Sequence, residues 1–399
     1  MAIRELKRYR LRMQIITHLY KQSPQSALSL SKQSHVSLPT VRSVLDQLIS
    51  EKKVCITGTG ESQGGRRPVL YSHAENAYHI VAIEFGHYKA RAILINSLNQ
   101  RITAIHEYST NINDPLLEEH METAINHLLE ESGLEREQIR AIGVSMPGLI
   151  HSENGINQTI KNPANRNIRK RLTHHFHKPV YIENDARMQA LGEFIFGKAK
   201  NTRNTLVLNW SWGLGLGIIL NGQVYQGDKG CAGEFSHIRI LPEGELCECG
   251  KKGCLQTIAS TQKLLDMAAS AIKKGTVSQL TNRFSSALSK ITVDDIIDCA
   301  QNGDELAISL LNKISTKLAW GLSILIQLYN PELIVLNGAL AKAGKYILMP
   351  IQQALNQYCL ENISHHVKIE ISEMGEQSGL KGTSVMTFQK IFRDKSLDN

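Results

Sequence analysis

Four side chains of the types that bind zinc stand close together in the second half of the chain. His237, Cys247, Cys249 and Cys254 follow the spacing H-x9-C-x-C-x4-C. Three thiolates and one imidazole make a closed tetrahedral set without a position for water, which is typical of a structural rather than a catalytic zinc ion. An odd total of seven cysteines also disfavours a disulfide framework. Incidental thiols and a redox switch are the alternatives for this cluster.

A second stretch, "LNWSWGLGLGIIL" at residues 208–220, has the glycine spacing of a phosphate-binding turn. Gly213, Gly215 and Gly217 would let the backbone turn tightly and direct its N–H groups at an anion. Such a turn usually also offers a hydroxyl group or a lysine, yet here two tryptophans flank a lone Ser211. The alternative is a turn between strands whose glycines permit close packing.

The net charge is concentrated at the N-terminus. Residues 1–75 contain 12 Lys and Arg against 5 Asp and Glu, a net charge of +7, whereas the whole chain carries +8. Such an asymmetry is typical of a nucleic-acid-binding module attached to a nearly neutral body, and a solvated basic face is the alternative. No long apolar run and no apolar N-terminal segment are present, so we expect a cytoplasmic protein without a membrane partner.

Three helical patterns and a hairpin pattern occupy this basic segment. Residues 12–20 and 27–35 predict helices, and a third helix follows Ser37, which is placed to cap it, with Pro39 in its first turn. The order predicts a helix-turn-helix, and "VCITGTGESQGGRRPVLYSH" predicts a wing with a tip at Gly64 and Gly65. The predicted DNA contacts are listed by role: Thr40, Arg42 and Ser43 for base edges, Arg66 and Arg67 for the backbone.

From residue 78 the pattern changes to alternating strands and helices. "HIVAIEF", "KARAILIN" and "RITAIHEY" predict three strands, residues 117–132 predict a helix, and a strand and helix follow around "PVYIENDARMQAL". "NTLVLNWSWGLGLGIILNGQVYQG" then repeats the opening device of strand, turn and strands. This duplication predicts two α/β lobes with a cleft between them.

Three motifs resemble the ROK family of repressors, open reading frames and sugar kinases. They are "YIENDARMQALGEF", "GEFSHIRILPEGELCECGKKGCLQTIAS" and "YNPELIVLNGAL". The resemblance implies an α/β, actin- and hexokinase-like fold, and the N-terminal segment resembles that of the repressor branch. We therefore expect a winged helix-turn-helix domain at residues 1–75, a first lobe at 76–198 and a second lobe at 199–378, with a C-terminal helix near 379–394 packing back on the first lobe.

The resemblance also implies a sugar site. It assigns the sugar contacts to Asn162, Asn184, Asp185, Glu234, His237 and Gln256. In kinase members Asp185 would be the general base that takes the proton of the attacking hydroxyl group. Without the resemblance, Asn184 and Asp185 fit a helix cap equally well. Gln256 stands where the family has a glutamate, so the resemblance implies a changed choice of sugar or weaker binding.

Both phosphate turns of the family's kinases are altered in this chain. The first has Glu84, Gly86 and Tyr88 where D-x-G-x-T is usual, and the second has Trp212 before Gly213 in place of a threonine. Sugar binding without phosphoryl transfer is therefore expected. We expect a repressor that binds operator DNA as a dimer or tetramer and a sugar or sugar phosphate in the cleft. A sugar kinase with a DNA-binding domain, and control by a protein partner at the zinc loop, are the alternatives.

Overall fold

The computed structural model describes residues 3–61, 67–364 and 366–393. The chain divides into two compact units. One comprises Met1–Met146, Glu153–Ile182 and Thr383–Asn399, and the other comprises Pro147–Ser152 and Glu183–Gly382. The boundaries predicted at residues 75 and 198 stay predictions. Among the described helices, none is both long and apolar enough to cross a membrane.

The first unit begins with three helices and a small sheet. The elements are α1 (Ile3–Lys21), β1 (Gln25–Ser26), α2 (Ala27–Ser34), α3 (Leu38–Ser50), β2 (Val54–Thr59) and β3 (Val69–His73), with sheet order β1-β3-β2. α1 is longer than the predicted residues 12–20. α3 buries one apolar face, formed by Val41, Val44, Leu45 and Leu48. Ser37 begins α3, but its hydroxyl group bonds the Thr40 hydroxyl group at 2.8 Å instead of capping the backbone.

The predicted wing corresponds to the antiparallel pair of β2 and β3. The register of this pair shifts between Ile56 and Gly58. The predicted tip residues Gly64, Gly65 and Arg66 lie outside the described residues.

A five-stranded sheet follows in the order β10-β7-β4-β5-β6. The elements of this part of the chain are β4 (His79–Phe85), β5 (Lys89–Asn96), β6 (His106–Ser109), α4 (Leu117–Ser132), β7 (Ile139–Met146), β8 (Ile150–His151), β9 (Ile156–Asn157), α5 (Ile168–Phe176) and β10 (Val180–Asn184). β4 is central, since it pairs antiparallel with β5 and parallel with β7.

The third predicted strand is shorter than expected. A strand was predicted over residues 101–108, whereas β6 begins only at His106. The Asn96 side chain accepts bonds from the N–H groups of Leu98 (3.0 Å) and Gln100 (3.1 Å), which closes a turn. The Thr103 hydroxyl group accepts the N–H of Leu94 at 3.2 Å, so a side chain occupies a position where a strand would offer its carbonyl.

The second unit repeats this arrangement with the order β13-β12-β11-β14-β15. Its elements are α6 (Asp185–Phe196), β11 (Thr205–Trp210), β12 (Leu214–Leu220), β13 (Gln223–Val224), α7 (Gln256–Ala259), α8 (Thr261–Lys273), α9 (Gln279–Phe284), α10 (Val293–Gln301), α11 (Glu305–Tyr329), β14 (Leu333–Asn337), α12 (Lys345–Tyr358), α13 (Glu361–Ser364), β15 (Lys368–Ile371) and α14 (Gln377–Ile391). β11 pairs antiparallel with β12 and parallel with β14, as β4 does with β5 and β7. The duplication read from the sequence is therefore present in the structure.

Helix α6 packs unusually close to strand β12. Gly215 and Gly217 lie within β12 rather than in a turn. A Cβ atom at Gly217 would come within 2.4 Å of the Ala190 Cβ and 2.5 Å of the Ala186 oxygen, and one at Gly215 within 2.9 Å of the Ala186 Cβ. These two glycines therefore serve helix packing, as the alternative interpretation of the glycine stretch proposed.

Helix α14 also approaches α6 through glycines. A Cβ atom at Gly192 of α6 would lie 2.1 Å from the Ser378 oxygen, and one at Gly382 of α14 would lie 1.7 Å from the Met188 oxygen. The two helices thus meet backbone to backbone. From Thr383 onward, α14 belongs to the first unit, where the Thr383 hydroxyl group donates to Ser145 of β7 at 2.9 Å.

An aromatic cluster joins the end of the chain to the N-terminal helices within the first unit. The ring of Tyr20 from α1 lies 5.3 Å from that of Phe388 and 5.5 Å from that of Phe392. Phe392 also stacks on His73 of β3 at 5.5 Å and meets Tyr78 at 5.7 Å. Burial raises the pKa of the Tyr20 hydroxyl group far above its ordinary value.

We expect Gly217→Ala to lower the free energy of unfolding by about 1–3 kcal/mol, because its methyl group would overlap α6. Gly213→Ala is the matched control in the same stretch. A Cβ atom there would have its nearest neighbour, a Gln256 side-chain oxygen, at 3.7 Å. Urea unfolding of both variants measures the difference, and equal losses would contradict the close-packing argument.

Candidate functional site

The four predicted metal ligands meet in one place. One ring nitrogen of His237 and the sulfur, Sγ, of each of the three cysteines lie within 4.8 Å of one another. His237 Nδ1 is 3.5 Å from Cys247 Sγ, and Cys249 Sγ is 3.6 Å from Cys254 Sγ. Ligands that lie about 2.0–2.3 Å from one tetrahedral ion are separated by roughly such distances. The donor set therefore fits a metal ion, and Nδ1 is the imidazole atom turned toward the thiols.

Backbone bonds fold the loop around this cluster. The N–H of Cys247 donates to the Lys251 oxygen at 2.8 Å, and the N–H of Leu255 donates to the Ile238 oxygen at 2.9 Å. Gly253 has a positive φ of +75°, and a Cβ atom there would overlap the Leu241 oxygen at 1.4 Å. Only glycine fits this position, so the loop comes back on itself one residue before Cys254.

Asn184 and Asp185 stand at the junction of β10 and α6. Asn184 is the N-cap of α6: its side-chain oxygen accepts the N–H of Arg187 at 3.1 Å, and its amide group donates to the Gly148 oxygen at 3.2 Å. The helix-cap interpretation therefore holds for Asn184. Asp185, the first residue of the helix, is left to present its carboxyl group at the helix N-terminus.

The Asp185 carboxyl group has a perturbed acidity. Its pKa is raised to about 6: burial is the largest cause, the N–H groups of Ala186 and Asp185 oppose it, and Glu234 raises the pKa while the Arg187 guanidinium group lowers it. Glu234 precedes the short turn Phe235–His237, which sets it three residues before the candidate metal ligand His237. Asp185 and Glu234 thus interact electrostatically within the second unit, and His237 follows Glu234 three residues later in the chain.

Gln256 and Asn162 complete the sugar contacts predicted from the sequence. Gln256 begins α7, two residues after the candidate metal ligand Cys254, and its side-chain oxygen faces the turn at Gly213. Asn162 is exposed, caps the short turn Pro163–Asn165 and belongs to the first unit. The structure thus assigns Asn162 to a different compact unit from the other five residues.

The first predicted phosphate turn holds an internal ion pair. Glu84 of β4 is buried, and its Oε2 atom accepts the Nη2 of Arg91 from the neighbouring strand β5 at 2.9 Å. Gly86 lies in the turn between these strands, where its N–H donates to the Lys89 oxygen at 2.8 Å. Tyr88, in place of the usual threonine, is 63% exposed. The Glu84 carboxylate, which stands where the family's kinases have an aspartate, is thus paired with a guanidinium group.

The only side-chain hydroxyl group in the second phosphate turn, that of Ser211, is already hydrogen-bonded. Ser211 donates to the Asn209 side-chain oxygen at 2.7 Å and accepts the N–H of Ala339 at 3.4 Å. Trp210 is fully buried, and its indole N–H donates to the Ala259 oxygen at 2.6 Å. Among the three predicted glycines, Gly213 alone lies in the turn between β11 and β12.

A buried ion pair that was not predicted from the sequence joins Glu183 and Arg187, on either side of the Asn184-Asp185 motif. Arg187 and Glu183 are each about 2% exposed, and Arg187 Nε donates to Glu183 Oε1 at 2.8 Å. Opposite charges four residues apart were the available signal. A spacing of four residues is typical of solvated helix faces, so the sequence did not distinguish this pair from a surface one.

The predicted DNA contacts on α3 lie on its outer face. Thr40, Arg42 and Ser43 are all exposed, opposite the apolar face of the helix. Arg67 is exposed just before β3, and Arg66 is outside the described residues.

We expect Asp185→Asn to raise the free energy of unfolding at pH 7.5 by up to about 3 kcal/mol. A carboxyl group whose pKa rises on folding is costly to ionise, so the cost appears as the pH rises from about 4 to about 6. Most of the gain therefore disappears at pH 4, where the carboxyl group is neutral in the folded state and only about half ionised in the unfolded state. Urea unfolding at both pH values measures it, with exposed Asp228→Asn as control. An equal effect at both pH values would rule out the raised pKa.

Most of the chain matches a known protein family. The ROK family model matches residues 80–390. The chain is 29% identical over 369 residues to the xylose repressor of Caldicellulosiruptor bescii, which covers 90% of this chain and 91% of that one.

Two solved structures share the fold. A ROK family transcriptional regulator, described as a homolog of the E. coli MLC protein, has a TM-score of 0.82 and 24% identity, covering 99% of this chain and 100% of that one. A ROK family glucokinase from Streptomyces griseus, in complex with glucose and AMPPNP, has a TM-score of 0.69 and 22% identity, covering 77% and 98%.

Proposed function

The chain belongs to the ROK family, and we propose that it is a sugar-responsive transcriptional repressor. The resemblance identified from the three motifs is thereby confirmed, and so is the hexokinase-like α/β fold. The relative from Caldicellulosiruptor bescii is a xylose repressor, and it spans nearly the same length as this chain.

One observation carries the DNA-binding part of the proposal. The family match begins only at residue 80, and the residues before it carry nearly all of the net positive charge. In this segment, α3 presents Thr40, Arg42 and Ser43 to solvent, while its other face is buried. A helix-turn-helix inserts such a face into the major groove, and the hairpin of β2 and β3 serves as a wing. Arg66 and Arg67 then contact the phosphate backbone of an operator bound by a dimer.

The effector in this proposal is a sugar or sugar phosphate. Asp185, Glu234 and His237 accept and donate hydrogen bonds to its hydroxyl groups, with Gln256 and Asn184 beside them. Asn162, which lies in the other unit, remains a proposed contact. Two acidic side chains and an imidazole suit a ligand that carries several hydroxyl groups. Gln256 adds a neutral amide at the position where kinases of the family carry a charge.

Phosphoryl transfer is not part of the proposal. Glu84 is neutralised by Arg91, and the Ser211 hydroxyl group is already bonded within its own turn. A kinase needs groups at these places that are free to hold the nucleotide phosphates and their metal ion. The sugar kinase is the rival function, because Asp185 is kept with a raised pKa that suits a general base.

Helix α14 has residues in both compact units, which supports the proposed regulatory step. α6 begins at the sugar residues and contacts α14 through Gly192 and Gly382. α14 ends beside Phe388 and Phe392, which pack on Tyr20 of the N-terminal helix α1. A sugar that shifts α6 therefore acts on α14 directly. The ligand must bind the state that releases DNA more tightly; a hundredfold preference corresponds to about 2.7 kcal/mol.

We expect one sugar to weaken DNA binding about 10- to 100-fold. The DNA is a duplex enriched from a random pool by binding to this protein, and the probes are D-xylose, D-glucose and N-acetyl-D-glucosamine with their phosphates. Fluorescence anisotropy measures affinity. Arg42→Ala should weaken binding, whereas Lys313→Ala, an exposed cation on α11, should not.

Asp185→Ala should keep DNA binding and lose the sugar response. The same sugars are then incubated with Mg-ATP, and ADP release is measured. ADP release that vanishes in Asp185→Ala would establish the rival kinase, and DNA binding unaffected by Arg42→Ala would refute the assignment of α3.

We also propose that the cluster of His237, Cys247, Cys249 and Cys254 holds one structural Zn²⁺ ion. When bound, the ion supplies a cross-link that fixes the loop and orients the His237 ring. With Nδ1 on the metal, Nε2 is the atom that remains to contact a sugar hydroxyl group.

We expect elemental analysis to find one zinc ion per chain, and a value near zero in Cys247→Ser. Cys231→Ser, outside the cluster, is the control and should keep the metal. Chelation should lower both the melting temperature and the sugar affinity, because the loop carries a sugar contact. Wild-type protein prepared without chelators that contains no zinc would end this proposal.

A further inference from the structure

The buried pair of Arg187 and Glu183 connects more than its own two residues. Besides Glu183, the Arg187 guanidinium group donates to two backbone oxygens: that of Gly230, and that of Ile150 at 3.3 Å. A second guanidinium nitrogen, Nη2, also bonds Glu183 Oε1. A planar group with several fixed donors can satisfy such a set, whereas an ammonium group cannot.

Glu183 makes its own connections to the same surroundings. Its Oε1 atom accepts the Ser152 hydroxyl group and the N–H of Asn184, both at 2.8 Å. Its Oε2 atom accepts the side-chain amide of Gln226 at 3.2 Å. The ion pair therefore ties three segments of the second unit together: residues 147–152, the start of α6, and residues 226–234.

The third of these segments is the one that needs support. Residues 226–234 form neither helix nor strand and lead directly to Glu234. Gly230 has a φ of +72°, and a Cβ atom there would come within 2.7 Å of the Ile150 oxygen. The loop is thus pressed against residue 150 at the point where Arg187 holds it.

We propose that Arg187 is the positioning residue of the sugar site. It fixes the loop that carries Glu234 against the helix start that carries Asp185, so that the two carboxylates keep the spacing needed to read two hydroxyl groups of one sugar. This inference rests on the proposed sugar binding and goes beyond it, since Arg187 touches no sugar itself.

Electrostatics provides a second, separable consequence. Arg187 lowers the pKa of Asp185, and the carboxylate of Glu234 raises it. When the guanidinium charge is removed, Glu234 remains as the charged group that acts on the pKa of Asp185. The pH at which sugar binding is half lost on acidification should therefore move upward from about 6.

The test compares Arg187→Met and Arg187→Lys with Lys198→Met as a control. Lys198 forms partly exposed ion pairs with Glu370 and Glu373, of a kind that contribute little. Calorimetry measures the affinity for D-xylose, D-glucose and N-acetyl-D-glucosamine between pH 5 and 8.5. DNA affinity without sugar reports whether the rest of the protein is intact.

Arg187→Met should lose at least tenfold in sugar affinity at pH 7.5, with its pH midpoint shifted upward and DNA affinity unchanged. Arg187→Lys should restore the midpoint but only part of the affinity, because one ammonium group cannot reach all three partners. Lys198→Met should match the wild type. A purely structural role would lower the melting temperature without moving the midpoint.

A second variant and two distinct negative outcomes keep the result unambiguous. If Arg187→Met does not fold, the double variant Glu183→Gln, Arg187→Met removes both buried charges and takes its place. Sugar affinity and midpoint equal to those of the wild type would overturn this inference alone. A wild-type protein that binds none of the sugars would overturn the proposed function, and this inference with it.

Discussion

The close contact of helix α6 with its neighbours is the constraint on which the second unit depends. One side of α6 rests on Gly215 and Gly217 of β12, and the other meets α14 at Gly382. Helix and strand backbones can approach this closely only where no side chain stands between them. The position of α6 sets the position of Asn184 and Asp185 at its start, so the glycines determine where the carboxylate lies.

This constraint changes the interpretation of the glycine-rich stretch. A spacing of alternate glycines fits a phosphate turn and a tightly packed strand equally well, since both need an accessible backbone. In the structure, Gly215 and Gly217 allow β12 to pack closely against α6. Only Gly213 remains in the turn, where the one available hydroxyl group, on Ser211, is bonded internally. The Ser211 hydroxyl group is thus engaged with Asn209 of its own turn region rather than directed at a bound phosphate.

Local signals sufficed for most elements and for the metal cluster. The helix at 117–132 and the strands at 79–85 and 89–96 have the predicted bounds, because hydrophobic periodicity reports burial directly. The strand over 101–108 was predicted too long, because the Thr103 hydroxyl group takes a backbone role that alternation does not reveal. The pair of Arg187 and Glu183 was missed for a related reason. Arg187 also bonds the backbone oxygens of Gly230 and Ile150, which are distant in sequence and which no local pattern reveals.

Helix α14 contacts both α6, which begins at the predicted sugar residues, and the basic N-terminal segment. α14 contacts α6 at its beginning and the Tyr20 ring at its end, so it belongs to both compact units. Backbone contacts at glycines leave little space for independent sliding, since a small shift would create overlap. In the proposed function, a sugar that displaces the start of α6 would therefore act on α14. Within the first unit, the rings of Phe388 and Phe392 pack on Tyr20 of α1, so the end of α14 contacts the N-terminal segment directly.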